Sequence, residues 1–206
     1  MSEEQPIKWT TYLAGGMENV SKKEMIDFRE TFMKKLQHED LLIYSPVAQE
    51  ASKVGANPGD HIKHIQGLKR GGHWDIFFER MWKIWFGNIN QNTDLIQLGI
   101  NLRMRKHIDG NRRSEIVSWG DFEAVIRSDF IIVYHPTSIK TVGTHFEVVF
   151  AFLFRIPIYL VVPDSPPTEA NSSLIFGTQI SNNKAIRVFR TINECVTQVK
   201  ADCKLK

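Results

Sequence analysis

The chain has 206 residues, 42% hydrophobic and 24% charged, enough for one substantial core and ordinary for a globular protein. Its 26 basic and 23 acidic residues leave a formal net charge of +3, too mild to argue for a nucleic-acid partner. Cys195 and Cys203 are the only cysteines, which excludes a disulfide framework, and no apolar run is long enough to span a bilayer.

The opening residues, Met1 to Pro6, have neither a basic start nor an apolar core, so no secretory signal is expected and the chain reads as cytoplasmic. Residues 9–14 form a first strand candidate ended by Gly15-Gly16. Residues 21–36 follow with Met25, Phe28, Phe32 and Leu36 at helical spacing. Leu41 to Tyr44 is a second strand stopped by Ser45-Pro46. These elements predict a right-handed βαβ unit.

Residues 47–113 leave that alternation. The segment is rich in Gly and Asn and carries Trp74, Phe77, Phe78, Met81, Trp82, Trp85 and Phe86. Their spacing predicts a helix packing an apolar stripe on the domain or on a second subunit, with a ring-stacking wall for a nucleobase as the sharper alternative. His61, His64 and His73 lack a recognised ligand pattern and read as surface histidines; no metal is expected. The basic residues of this segment, including Lys63, Lys69, Arg70, Arg103 and Arg105, read as a solvated surface.

Alternation then returns. Residues 115–127 read as a helix, 130–134 as a strand, 146–154 as a helix, 156–162 as a strand, 185–189 as a short last strand and 192–199 as a closing helix. The expected fold is a single α/β domain over residues 1–206: a doubly wound, five-stranded parallel sheet of flavodoxin-like or Rossmann-like type, with an aromatic-rich helical insertion at about 47–113. In such a sheet the loop after the first strand and the loop at 137–144 face each other across a crevice. Gly15-Gly16 is a tight turn or a weak phosphate loop, since the full dinucleotide pattern is absent; no cofactor is expected.

The run Phe130 to Tyr134 is continuously apolar, as for a strand covered on both faces. After a polar loop, Gly143-Thr144-His145-Phe146-Glu147 opens an apolar helix. Thr144 and Glu147 have capping-box spacing, which is the plainer reading. A carboxylate in a first helical turn at the sheet mouth is also well placed as a nucleophile.

These residues resemble the nucleoside 2-deoxyribosyltransferase family. The resemblance rests on Thr11-Tyr12-Leu13-Ala14-Gly15-Gly16-Met17, on Asp121, on Ser128-Asp129, and on the stretch from Thr141 to Ala151, and extends to Ser172-Ser173-Leu174-Ile175-Phe176-Gly177. It covers about two thirds of the chain, leaving out the insertion. It implies that Glu147 attacks the anomeric carbon, that Tyr12 positions it, and that Asp121 lies by the base. Gly15, Gly16, Gly143 and Thr144 are then expected at the substrate, a small nucleoside or nucleotide. It further implies a homo-oligomer in which Asn171 or Ser172 completes a neighbour's site. A carboxylate nucleophile suits an oxocarbenium-like transition state, and a second carboxyl suits protonation of the leaving base.

Two positions depart from the transferase pattern. Thr141 stands where transferases carry an aspartate and the related nucleoside 5′-monophosphate N-glycosidases a serine, and Ser172 where transferases carry an asparagine. Both lean toward hydrolysis of a monophosphate, whereas Gly16 and Glu18 replace the serine and arginine by which those hydrolases hold phosphate. A non-catalytic nucleotide-binding module, with Glu147 serving as a cap, is the alternative of a different class.

Overall fold

The computed structural model of the chain describes residues 7–17, 21–57, 60–105, 118–138, 142–166, 169–183, 185 and 187–205. Expectations placed on Glu18 and Thr141, and on the start of the helix expected at 115–127, fall outside these residues.

Among the described residues the chain runs β1 (Trp9–Gly15), α1 (Lys22–Lys35), β2 (Leu41–Tyr44), α2 (Pro46–Lys53), α3 (His61–Arg70), α4 (Trp74–Phe86), α5 (Leu95–Arg105), α6 (Asp121–Arg127), β3 (Phe130–Tyr134), α7 (Gly143–Leu153), β4 (Ile158–Val161), α8 (Ser172–Ser181), β5 (Val188–Phe189) and α9 (Ile192–Cys203). The five strands form one parallel sheet ordered β2-β1-β3-β4-β5. This is the doubly wound α/β sheet expected, with its switch point between β1 and β3.

Strand alternation divides the core in two. Tyr12, Ala14, Ile131, Val133, Ile158 and Leu160 face one layer, where α6, α7 and α8 supply Phe122, Val148 and Leu174. Leu13, Phe130, Ile132, Tyr159 and Val161 face the other, against Phe28 and Phe32 of α1 and Cys195 and Val199 of α9. Both cysteines are free and buried. No described helix is long and apolar enough to cross a membrane.

The differences from expectation are local. Strand β1 continues through Gly15, which pairs with Tyr134. A Cβ at Gly15 would fall 2.5 Å from Phe28 Cζ and 3.1 Å from the Tyr134 carbonyl oxygen, so a side chain there would have to displace the Phe28 ring that packs α1 on the sheet. Strand β4 starts at Ile158 rather than 156, after Pro157, which has no N–H for a ladder. Helix α9 runs four residues beyond its expected end, to Cys203, and stops at Lys204 with φ 54°. The segment 47–113, for which one helix was expected, holds most of α2 and all of α3, α4 and α5.

The sequence contains Ser/Thr-x-x-Glu before three helices, and it is used differently in each. Ser21 with Glu24, and Thr191 with Glu194, close complete capping boxes. Thr144 with Glu147 does not: α7 begins at Gly143, its N-cap is Val142, and Glu147 is already the fifth helical residue. The capping reading of Glu147 is therefore corrected. Its position within α7 turns the side chain inward, where it is 2% exposed.

Candidate active site

Glu147 meets Tyr12 beneath the C-terminal end of the sheet. Tyr12 Oη donates to Glu147 Oε1 at 2.5 Å, while Glu147 Oε2 is buried with no partner among the described residues. Tyr12 is fixed by its place in the middle of β1, opposite Tyr44 and Ile131 in the adjacent strands, and by a stacked contact with the Tyr44 ring, centroids 5.3 Å apart. Asp121 is the first residue of α6, following the extended Gly120, and is 1% exposed with Oδ1 unpartnered.

A third carboxylate, Glu50 of α2, was not singled out from the sequence. It is 1% exposed, its Oε1 has no donor among the described residues, and it lies within hydrogen-bonding reach of Asp121. The signal was present: Val47 and Ala51 of α2 and Val54 at its C-terminal cap are buried, and Glu50 falls on that same face. Arg29 was missed likewise, although it sits among Met25, Phe28 and Phe32 on the apolar side of α1. Its guanidinium is buried, donates to Met25 O at 2.6 Å and Gly15 O at 3.0 Å, and lies 4.3 Å over the Phe28 ring. It thus ties α1 to the end of β1 while placing a fixed positive charge near the carboxylates.

His61 corrects a second expectation. It is fully buried, with Nε2 3.2 Å from Glu50 Oε2; His64 and His73 are exposed as expected. Burial and the nearby Arg29 lower its pKa to about 4, so His61 is neutral near pH 7. Among the described residues no group of His, Cys, Asp and Glu is arranged to hold a metal ion.

Burial dominates the acids. Glu147 is raised to about 8 by burial and then by the charge of Asp121, against the Tyr12 hydrogen bond and Arg29, which pull it down. Glu50 is raised to about 8 by burial and then by Glu147. Asp121 is raised well above the usual carboxylate range by burial and then by Glu50. Three such groups near one another cannot all ionise, so the ligand-free site holds protons at neutral pH.

All three carboxyls line one cavity of about 280 Å³, together with Gly15, Gly143 and Thr144. Its opposite wall comes from the insertion: Ile62 and Ile65 of α3, and Phe77, Met81, Ile84 and Trp85 of α4. The α4 stripe therefore packs on the domain, as its spacing predicts, and also walls the cavity. Trp74 and Phe78 on its other side are exposed. The volume falls just under the lower end of small-molecule pockets, about 300–1,000 Å³, and suits a compact ligand rather than a dinucleotide.

The expected site residues do not all meet here. Gly16 faces a second cavity of about 470 Å³ on the α1 side, with Phe28, Tyr134 and Asp164. The Asp164 carboxylate already accepts the Thr137 and Ser138 amides at 2.8 and 2.9 Å, so that cavity offers less unused chemistry. Asn171 and Ser172 are exposed at the start of α8, where Asn171 caps the helix by accepting from the Ser173 amide, and neither lines the carboxylate cavity. The sequence matches no protein-family model and no curated protein.

Proposed function

We propose that this protein cleaves the N-glycosidic bond of a (2′-deoxy)nucleoside or nucleotide through a glycosyl ester on Glu147 and passes the sugar to a second base. The observation that carries this reading is the Tyr12–Glu147 contact: a carboxylate released from any capping duty, gripped by a tyrosine, with its second oxygen unpartnered in a cavity shared with Asp121. The resemblance to the nucleoside 2-deoxyribosyltransferases supports it independently, because it names the same three side chains.

In this mechanism the Glu147 carboxylate attacks C1′ on the face opposite the base. The C1′–N bond breaks, its electron pair goes to the base nitrogen, and protonated Asp121 supplies the proton that makes the base a competent leaving group. An acceptor base then attacks C1′, expels Glu147 and returns its proton to Asp121. The apolar, aromatic wall of α3 and α4 excludes water and holds the flat base. Buried acids that favour the proton in the empty site become favourable partners once positive charge develops on the sugar.

Hydrolysis of a nucleoside 5′-monophosphate is the second reading, favoured by Lys69, a cation lining the cavity that can meet a phosphate. The exposed apolar face of α7, with Phe146 at the cavity, supports an oligomer with sites near subunit boundaries.

Incubation with deoxynucleosides and deoxynucleoside monophosphates, with and without an acceptor base, tests both. Exchange of bases supports transfer; free base with water as sole acceptor supports hydrolysis. A bound but unchanged ligand after long incubation would overturn both in favour of a binding module.

A further inference from the structure

Glu50 has no role in the mechanism above, yet it is among the least exposed carboxylates in the molecule and lines the reacting cavity. Among the described residues, Glu50 Oε1 and Asp121 Oδ1 both lack a donor. The two carboxyls lie within hydrogen-bonding reach of each other, a contact that is favourable only when one of them carries a proton. Two ionised carboxylates at that separation would repel in a site with little water.

The surroundings decide which one holds it. Glu50 has the more cationic setting: Arg29 of α1 and Lys53 of α2 both favour its ionised form. The neutral His61 ring of α3 lies 3.2 Å from its other oxygen. Lys53 is held close by, its Nζ donating to the Trp119 carbonyl at 2.5 Å. Glu147 of α7 opposes ionisation of Glu50. Asp121 is favoured toward ionisation by Lys53 and by the Tyr12 hydroxyl of β1, but Glu50 itself works against that twice, through its charge and through their shared hydrogen bond. Buried Tyr44 of β2 is held in its neutral form, above all by burial.

Building on the glycosidic reading, we propose that Glu50 is a positioning residue for the proton on Asp121: in the reactive ionisation state the two carboxyls carry one proton between them, and Glu50 keeps it on Asp121, where the departing base can take it. When Asp121 gives up that proton, the pair becomes two facing carboxylates. Their repulsion makes Asp121 basic again and ready to take back the proton released by the incoming acceptor. The sequence thus supplies three carboxyls with three duties: Glu147 for the sugar carbon, Asp121 for the base, Glu50 for the state of Asp121.

The test is a carboxyl-¹³C NMR titration of the ligand-free protein labelled at Asp and Glu, with rates measured in parallel. In the wild type the Asp121 and Glu50 resonances should show the same two coupled steps. In Glu50→Gln the Asp121 titration should move at least tenfold in its acid constant toward lower pH, and the high-pH limb of kcat should move with it. The rate loss should be tenfold or more on an ordinary deoxynucleoside and small on an N7-methylated guanine deoxynucleoside, whose base leaves without protonation. An Asp121 titration unchanged in Glu50→Gln overturns the proposal, as do independent single-step titrations in the wild type should that variant fail to fold. Coupled titration without turnover of any nucleoside or nucleotide supports the pair and overturns the glycosidic reading, so the two failures are distinguishable.

Discussion

Tyr12 and Glu147 are 135 positions apart in the chain and 2.5 Å apart in the fold. Strand β1 and helix α7 bring them together because β1 lies beside β3 at the centre of the sheet, and α7 begins just past the end of β3. Among the described residues the hydroxyl is the one donor to either Glu147 oxygen. It works against burial by favouring the ionised carboxylate.

Tyr12→Phe should therefore leave the fold intact and weaken the nucleophile. The ring keeps its stack on Tyr44, while a hydrogen bond to a charged group, about 1.5–3 kcal/mol, is lost. On the proposed reaction, kcat should fall roughly 10- to 100-fold. Glu147 already sits at about 8 and should rise further, so the low-pH limb of kcat should move to higher pH. A pH–rate profile with that limb unmoved would show that the contact does not set the state of Glu147.

Glu147→Gln should remove activity and add stability. Folding raises the Glu147 pKa from its ordinary 4.5 to about 8, so the folded state favours the protonated form. That contribution is complete below pH 4.5 and is lost as the pH rises through about 8, because the unfolded chain ionises first. Glutamine is neutral throughout and does not lose it. The melting temperature of the variant should exceed that of the wild type by a margin that widens between pH 4.5 and 8 and then levels, at about 2–4 °C per kcal/mol. Turnover should drop on the order of 10³-fold or more. Melting curves at pH 5, 7 and 9 check the sign, and a constant margin would contradict it.

The sheet was legible because each strand carries its own signal. Phe130 to Tyr134 is apolar without interruption, and Leu41 to Tyr44 is closed by Ser45-Pro46, which starts α2. Glu147 was half legible. Its spacing from Thr144 fits a cap, and only the true start of α7 at Gly143 shows that the carboxylate turns inward instead. Glu50, Arg29 and His61 were hidden because a polar residue on an apolar helical face looks like a break in the stripe until its partners are in view. The Gly15 carbonyl that Arg29 reaches, and the Glu50, His61 and Asp121 groups that meet one another, lie on different elements, and no local pattern records them.

The aromatic wall should govern binding more than chemistry. Trp85 lines the cavity and makes edge contacts with Phe146 and Phe150 of α7 at centroid distances of 5.8 and 6.1 Å. Trp85→Ala should raise KM roughly tenfold, about 1.4 kcal/mol, and change kcat little. Phe78→Ser on the exposed side of α4 should change neither. Steady-state kinetics of the pair separate a wall that holds substrate from a helix that merely packs.

Gly120 should prove intolerant of any side chain. A Cβ there would lie 2.5 Å from Gly87 N and 2.6 Å from Phe86 backbone atoms, where the end of α4 meets the residue before Asp121. Gly120→Ala must push the two backbones apart, at a cost of about 1–3 kcal/mol. The melting temperature should fall by several degrees, at about 2–4 °C per kcal/mol. Both the Asp121 carboxyl and the aromatic wall should shift, so kcat and KM should both worsen. An active variant of wild-type stability would show that α4 is not braced on α6.

The outer side of α7 leads to the last prediction. Val142, Phe146, Val149 and Leu153 recur along one exposed face, each between 46% and 71% exposed, and Phe176 of α8 is 58% exposed. Phe176 meets Phe152 of α7, ring centroids 6.4 Å apart, so the two helices present a joint apolar surface. Such a surface is seldom left in water. If a second copy covers it, as the proposed oligomer requires, Val149→Glu combined with Leu153→Glu should convert the assembly to monomer, because each carboxylate would be buried without a partner. Neither residue lines the cavity. Turnover in the monomer therefore reads whether a neighbour completes the site: retained activity would make the assembly structural only, while lost activity with an unchanged melting curve would make it part of the site. Light scattering across a dilution series checks the first half, and a wild type that is monomeric at every concentration would remove the premise.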